Sequence, residues 1–593
     1  MNIVVSTLNA KYIHTCLALR YLKAYSEPDF QVEMAEYTIK DPAINIVSDL
    51  YMKKPDVLGF SCYIWNIEET IKVIEMIKKI SPETAIILGG PEVSYDVAHW
   101  LDRIPDADFI IINEGEISFK HFLSEHSGEK RYEKVAGLAW RKEGKPTINP
   151  PREKLDLKTV ASPYRFHEDL DQLSKRVTYF ETSRGCPYSC AFCLSSIEVG
   201  VRYFDIQKVK DDLIFLMDNG AKTIKFVDRT FNIKRDYALE MFQFLIENRR
   251  PGVVFQFEIT ADIMRPEVIA YLNENAPAGL FRFEIGVQST NDHVNELVQR
   301  RQNFEKLTRT VMTVKEGGKI AQHLDLIAGL PEEDYGSFRK TFNDVFAFGV
   351  EEVQLGFLKM LRGTGLRLTA DRHDYVYMNH SPYEILGNNV LSFDEIIKIK
   401  RVEDVLEKYW NDHRMDETLH YLIHHVFESP FDFFQEYGDY WESKGWSRIG
   451  HQLEDLFARL KEFLQHSGTV HEEVIESLMK YDYFSRKKHR PHRSWWKETL
   501  SKTETDHYNR WIKNHPELVS EEFKAYGLSE KDLIKHTVLD LVPFDLKHYL
   551  QTHEIKENPV LSLIYYHPKT HEPEHYTIPL ELIMLEELSI EAK

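Results

Sequence analysis

Short, nearly continuous apolar runs alternate with helical-period segments over the first 130 residues. NIVVST (2–7), QVEMAEY (31–37), DVLGFSC (56–62), TAIILGG (84–90) and DFIIIN (108–113) are strand candidates, and IEETIKVIEMIKKI (67–80) repeats its apolar residues at helical spacing. Strands that are apolar on both faces and separated by helices predict a parallel sheet covered on both sides. The pattern is that of a doubly wound, Rossmann-like domain over 1–147, whose ligand belongs at the carboxyl ends of the strands. VAGLAWRKEGKPT (135–147) reads as a hairpin turning at Lys142–Gly144. The Pro- and charge-rich INPPREKLDLKTVASPY opens a linker over 148–172.

A second alternating series occupies 173–385. Its strands are VTYFET (177–182), TIKFVD (223–228), VVFQFEIT (253–260), FRFEIGV (281–287), QHLDLIAG (322–329) and EVQLGFL (352–358), with helical stretches such as IQKVKDDLIFLMDNG (206–220) between them. Six strand–helix repeats predict an open or partial (β/α)6 barrel with its chemistry at the strand carboxyl ends. From 386 to 593 the pattern turns to longer helices rich in aromatic residues and His, closed by a strand–turn–strand stretch at 558–581. The fold class is therefore α/β, followed by a mostly α-helical C-terminal domain.

At 593 residues the chain exceeds what one core can organise. No apolar run reaches membrane-spanning length, and the N-terminal MNIVVSTLNAKYIH reads as a first strand rather than a signal peptide. Both point to a cytoplasmic protein. A formal net charge of −20 disfavours nucleic acid as a partner. The local exception is SRKKHRPHRSWWKET (485–499), best read as a solvated loop with two anchoring tryptophans.

Three of the five cysteines, Cys186, Cys190 and Cys193, fall within eight positions directly after the first strand of the second series. Structural zinc wants a fourth ligand that this loop lacks, and a disulfide would strand one thiol. An iron–sulfur cluster fits better: three thiolates leave one iron of a [4Fe–4S] cube open to another ligand. Cys16 and Cys62 lie in apolar segments and read as buried small hydrophobes.

The segment RGCPYSCAFC (184–193) resembles the three-cysteine loop of the radical S-adenosylmethionine (SAM) superfamily, with Phe192 at the aromatic position. The resemblance implies that the open iron chelates SAM and that one electron from the cluster yields a 5′-deoxyadenosyl radical. It also implies SAM contacts from Asp228 and Asn232 in FVDRTFN, from Glu284 and Gln288 in FEIGVQST, and more weakly from Arg362 in LKMLRGTGL. Alternation along FRFEIGV places Glu284 and Gln288 opposite the apolar Phe281, Phe283, Ile285 and Val287, on a face that can be the barrel lumen.

The N-terminal domain lacks a G-x-G-x-x-G after its first strand, which disfavours a dinucleotide. Its strand ends instead carry STLNAKYIH, GFSCYIWN, ILGGPEVSYD and NEGE, a set similar to the cobalamin (B12)-binding domain fused ahead of the radical SAM barrel in one large subclass. Carried over, Asn9, Tyr12, His14, Ser61, Tyr63, Trp65, Asn66, Gly89, Gly90, Pro91, Glu114, Gly115 and Glu116 are candidate cobalamin contacts. Tyr12 stands where an axial-ligand loop would need Asp, so His14 reads as a locally bonded histidine rather than a cobalt ligand.

The last third resembles the C-terminal domain of a bacterial subgroup of these proteins. His420 and His424 share a helix face there, but without an H-E-x-x-H carboxylate they read as core or interface histidines. The resemblance implies an enzyme with a [4Fe–4S] cluster, SAM and cobalamin, most commonly methylating an unactivated carbon of a small-molecule or peptide substrate with electrons from a flavodoxin- or ferredoxin-like donor. Rearrangement or cyclisation without methyl transfer, and a cobalamin sensor with a non-catalytic cluster, are the alternatives. A methylthiotransferase would need three more cysteines for a second cluster, and only Cys16 and Cys62 remain.

Overall fold

The structure, a computed structural model, describes residues 1–197, 200–491 and 494–584. Two compact units divide the chain, Met1–Ile396 and Ile397–Lys593.

The first unit contains two sheets. Strands β1 (Ile3–Asn9), β2 (Val32–Thr38), β3 (Val57–Ser61), β4 (Ala85–Gly89) and β5 (Phe109–Ile111) are parallel, and β6 (Leu138–Lys142) with β7 (Lys145–Ile148) adds an antiparallel hairpin. Their spatial order is β2-β1-β3-β4-β5-β6-β7. The order reverses between β1 and β3, which opens a crevice at their carboxyl ends. Helix Ile67–Ile80 shows why these segments fold as they do. Ile67, Thr70, Val73, Ile74 and Ile77 form one buried stripe, with Glu68 and Glu69 in the first turn and Lys78 and Lys79 in the last, matching the helix dipole.

The second sheet follows the short strand β8 (Val177–Phe180). A two-residue pair, β9 (Ser183–Arg184) with β10 (Arg202–Tyr203), flanks the cysteine loop. Then come β11 (Thr223–Phe226), β12 (Val254–Ile259), β13 (Phe281–Gln288), β14 (Ala321–Ala328) and β15 (Glu352–Phe357), parallel in the order β15-β14-β13-β12-β11-β8. Along β13, Phe281, Phe283, Ile285 and Val287 are buried, while Arg282, Glu284 and Gln288 alternate onto the partly open face. The sheet is open at β8, and the N-terminal domain covers that edge. Val177 N donates to Ile13 O at 2.8 Å, and His14 and Val177 form a parallel bridge. The exposed ladder of an edge strand is thereby partly paired. A small antiparallel pair, β16 (Val376–Tyr377) with β17 (Ile385–Gly387), ends the unit.

The second unit is mainly helical, with Tyr409, Tyr437 and Trp441 in its core. It also holds an antiparallel sheet of β18 (Thr537–Val542), β19 (Val560–Tyr566) and β20 (Pro573–Pro579). The turn between β19 and β20 was legible in the sequence; β18 was not, because TVLDLV is short and follows a helix directly. In the basic stretch, Trp495 stacks on Phe457 and Trp496 packs against Tyr483, while His492 and Arg493 lie outside the described residues. His420 stacks on both His424 and His553.

Candidate functional site

The cysteine loop leaves β8 through Gly185, whose φ of +97° no side chain would tolerate: an added Cβ would lie 2.0 Å from Gly200 O. Cys186 and Cys190 are buried and Cys193 is half-buried. Cys193 N donates to Cys190 O at 3.0 Å, and Ala191 is pinned from both sides, by Val298 O at 2.9 Å and Leu366 N at 2.8 Å. Phe192 is half-buried beside them. Burial pushes the Cys190 thiol up, as do Cys193 and Cys186, while the Arg300 guanidinium pulls it down. Cys190 thus lies near enough to both other thiols to feel their charge, although no ready-made cage of three or more ligating side chains exists among the described residues. Metal thiolate sites commonly close only as the ligands deprotonate and bind, so the donor set fits an iron–sulfur cluster.

Beside the loop runs a cavity of about 450 Å³. One wall is the N-terminal sheet, contributing Val5, Gly59, Ser61, Ile87, Gly89 and Ile111, and Leu19, Leu22 and Phe119 from two helices enclose it. The far wall is the barrel mouth: Glu181, Ser183, Arg184, Gly185, Leu194, Ser195 and Arg229. An apolar slot with a polar mouth suits a large, amphiphilic ligand such as a corrin with its tail.

Eight of the expected cobalamin contacts line this cavity: Ser61, Tyr63, Gly89, Gly90, Pro91, Glu114, Gly115 and Glu116. Five are placed away from it. Asn66 is wholly buried, capping Tyr63 N at 2.8 Å and donating to Leu8 O and Ser61 O, so it staples the ends of β1 and β3. Asn9 donates to Glu36 at 3.3 Å. Tyr12 is 60% exposed and bonds Gln172. Trp65 stacks on the back of Tyr63, with ring centroids 4.3 Å apart. His14 bonds the Tyr179 hydroxyl at 2.8 Å, and burial with Lys11, Lys225 and Arg176 nearby lowers its pKa.

The expected SAM contacts are also redistributed. Asp228, 1% exposed, accepts from Thr182 N (2.9 Å), Thr182 Oγ1 (2.7 Å) and Ser183 Oγ (2.5 Å), so it ties β11 to the start of the cysteine loop. Burial pushes it up to about 6 despite those bonds. Asn232 exchanges two hydrogen bonds with the Thr260 backbone. Glu284 faces the lumen but is held there by Lys225 at 2.7 and 2.8 Å. Arg362 turns to the N-terminal domain, pairing with Asp96 at 2.9 Å and His99 at 3.1 Å. Of the expected SAM contacts only Gln288 keeps a buried polar atom, Oε1, without a partner among the described residues, on a backbone twisted to φ +69° where the β13–β14 register slips. An orphaned acceptor on a strained strand end fits a hydroxyl-bearing ligand such as the SAM ribose.

Sequence reasoning missed the charges that join the two sheets. Arg184 meets Glu114, Glu116 and Glu181, and Arg202 also meets Glu114. The only hint was an arginine directly before the glycine of the cysteine loop. On the opposite side the buried Glu92 accepts from Tyr383.

A doubly wound domain whose cavity opens onto a three-cysteine loop at a barrel mouth defines the class: a B12-binding domain joined to a radical SAM domain. The comparisons agree. Residues 3–123 match the B12 binding domain, 180–345 the radical SAM superfamily, and 371–564 a protein family of unknown function, DUF4080. The chain is a B12-binding-domain-containing radical SAM protein that carries the DUF4080 region. It is similar to 2-(S-pantetheinyl)-carbapenam-3-carboxylate methyltransferase of Streptantibioticus cattleyicolor, 27% identical over 63% of this chain and 60% of that one. It is likewise similar to the cobalamin-dependent radical SAM methyltransferase TokK of Streptomyces tokunonensis, 27% identical over 56% of this chain. The match covers 51% of TokK, so the chain spans only about half to three-fifths of these relatives. Among solved structures, the cobalamin-dependent radical enzyme OxsB with aqua-cobalamin and SAM bound superposes with a TM-score of 0.55 at 16% identity, covering 81% of this chain and 83% of that one. That likeness shows a shared fold. Among the described residues no helix is long and apolar enough to cross a membrane.

Proposed function

We propose that this protein is a cobalamin-dependent radical SAM enzyme that methylates an unactivated carbon of a small-molecule or peptide substrate. The observation that carries the reading is that one cavity is bounded by the strand ends of the N-terminal sheet on one side and the cysteine loop on the other. Cys186, Cys190 and Cys193 would hold the [4Fe–4S] cluster, Gln288 would meet SAM, and the cavity would take cobalamin. When bound, cluster and SAM supply a 5′-deoxyadenosyl radical and cobalamin supplies the methyl group.

The protein's own part is positioning and exclusion of water. Asp228 anchors the root of the cysteine loop, and Arg184 clamps that loop to Glu114 and Glu116 beside the cavity. Beneath, Lys225 pairs with Glu284 in the lumen, and Tyr179, the strand neighbour of Lys225, is held by His14. A low-potential flavodoxin- or ferredoxin-like protein would supply electrons.

The test is anaerobic incubation of the reconstituted protein with SAM and a low-potential reductant, with and without cobalamin. Cobalamin-dependent S-adenosylhomocysteine together with 5′-deoxyadenosine is the expected result. 5′-Deoxyadenosine alone would move the reading to rearrangement or cyclisation. Neither product, from protein with a full cluster, would overturn the enzyme reading in favour of a sensor.

A further inference from the structure

Along β12, Phe255, Phe257 and Ile259 are buried toward the helices, and Gln256 and Glu258 alternate into the barrel lumen. The register places Glu258 beside Glu284, Glu284 beside His323, and His323 beside Glu352, one row across four adjacent strands. Every charge in that row except one is matched. Lys225 gives both its contacts to Glu284. His323 sits 3.0 Å from both Asp325 and Glu352, and Arg282 also reaches Glu352. Glu258 makes no hydrogen bond or ion pair with any described residue.

Two carboxylates side by side on neighbouring strands, of which only Glu284 bonds a lysine, Lys225 of the next strand, is an unfavourable arrangement. Burial pushes the Glu258 carboxyl up; Glu284 and Asp325 add to this, while Arg229 and Lys225 oppose it. Arg229 lines the cavity, is exposed, and does not bond Glu258. Lys225, Arg282 and protonated His323 face four carboxylates, Glu258, Glu284, Asp325 and Glu352, and Glu258 is the one left over. A carboxylate drawn partly out of water without a partner costs stability unless a ligand supplies one.

We propose that Glu258 anchors a positively charged nitrogen of the substrate, an amine or guanidinium, inside the barrel lumen. The proposal rests on the proposed enzyme function, adds that its substrate enters the lumen, and names the substrate class: a cationic molecule. The ammonium then sits between Glu258 and Glu284 and completes the row.

The experiment is calorimetric titration of the reconstituted holoprotein, loaded with SAM and without reductant. The probes are cadaverine and agmatine, set against the diol isostere of cadaverine and against glutarate. The wild type should bind the two cations and neither comparator. Glu258→Gln should weaken cation binding at least about tenfold with SAM affinity unchanged, and Glu258→Asp should recover part of it. Equal binding of the diol and cadaverine, or cation binding indifferent to Glu258→Gln, overturns the proposal. Loss of SAM affinity in Glu258→Gln also overturns it, by making Glu258 a SAM contact. 5′-Deoxyadenosine release by the same preparations, measured separately after reduction, keeps this outcome distinct from failure of the enzyme reading.

Discussion

Arg184, two residues before the first cysteine of the loop, pairs through Nη2 with the buried Glu116 of the N-terminal domain at 2.6 Å. The same guanidinium meets Glu181 at 2.8 Å and Glu114 at 3.2 Å and stacks over Tyr21. The acidic element that closes one domain is therefore tied to the root of the other's cysteine loop. A planar fork with five donors meets three carboxylates at once with more and better-spread bonds than the three donors a lysine offers from a single nitrogen.

Removing that fork leaves Glu116 buried and uncompensated. Arg184→Gln should cost about 3–5 kcal/mol, the range for breaking one side of a buried pair. Arg184→Lys should recover only part of the loss. Urea unfolding of the apoprotein measures both, and a midpoint for Arg184→Gln equal to that of the wild type would show that the cluster carries no net stability.

Gly90 follows β4 with φ +105°, and a Cβ there would stand 2.5 Å from Cys62 O and 2.9 Å from Cys62 N. Its smallness serves the close approach of two strand-end loops of the protein itself. Gly144 has a similar φ of +81° but open space around it. Gly144→Ala should cost only the backbone strain, about 1 kcal/mol, and Gly90→Ala clearly more. Thermal unfolding of the two variants side by side decides it; equal losses would mean that the Gly90 loop yields.

Glu92 is 3% exposed, and burial raises its carboxyl from 4.5 to about 7 although Tyr383 donates to it. A folded-state pKa above the unfolded value favours the folded state at low pH. That contribution is complete below about 4.5 and is lost as pH rises through about 7. Glu92→Gln should therefore gain on the wild type between these limits, seen as a difference in denaturation midpoint that grows from pH 4.5 to pH 7. A pH-independent difference would place the Glu92 pKa near its ordinary value.

His323 sits between Asp325 and Glu352. Burial alone would lower its pKa, but those two carboxylates raise it to about 10, while His323 and Arg282 hold Glu352 down at about 2 against its own burial. The histidine's contribution is full below 6.5 and disappears as pH climbs through about 10. The glutamate's is present above 4.5 and is lost as pH falls through about 2. Nitrogen NMR of labelled histidine should find the His323 ring still doubly protonated at about pH 8, where an ordinary imidazole is neutral. A neutral ring there would break the row on which the lumen charge balance depends.

Much of the fold could be read from local pattern. Near-continuous apolar runs gave the central strands of the first sheet to within a few residues, because a strand buried on both faces is apolar throughout, and alternation gave those of the second, whose other face is polar. The hairpin at 138–148 announced itself through its turn. The alternation along β13 correctly placed Glu284 and Gln288 on the face away from Phe283 and Ile285. What pattern could not supply was partners. Asp228 and Arg362 look alike to a reader of strand ends, yet one is spent beneath the cysteine loop and the other on Asp96 and His99.

The sequence by itself determined the order of elements and the thiol loop after the first barrel strand. Each follows from short-range periodicity and spacing. Tertiary structure alone decided which polar groups remain available to a ligand. Arg184 and Glu114 lie 70 positions apart, and His14 and Tyr179 lie 165 apart. Coulombic and hydrogen-bond pairing depends on distances of a few ångströms that sequence separation does not encode. His14 is thereby consumed, and Glu258, unremarkable in the sequence, is left over.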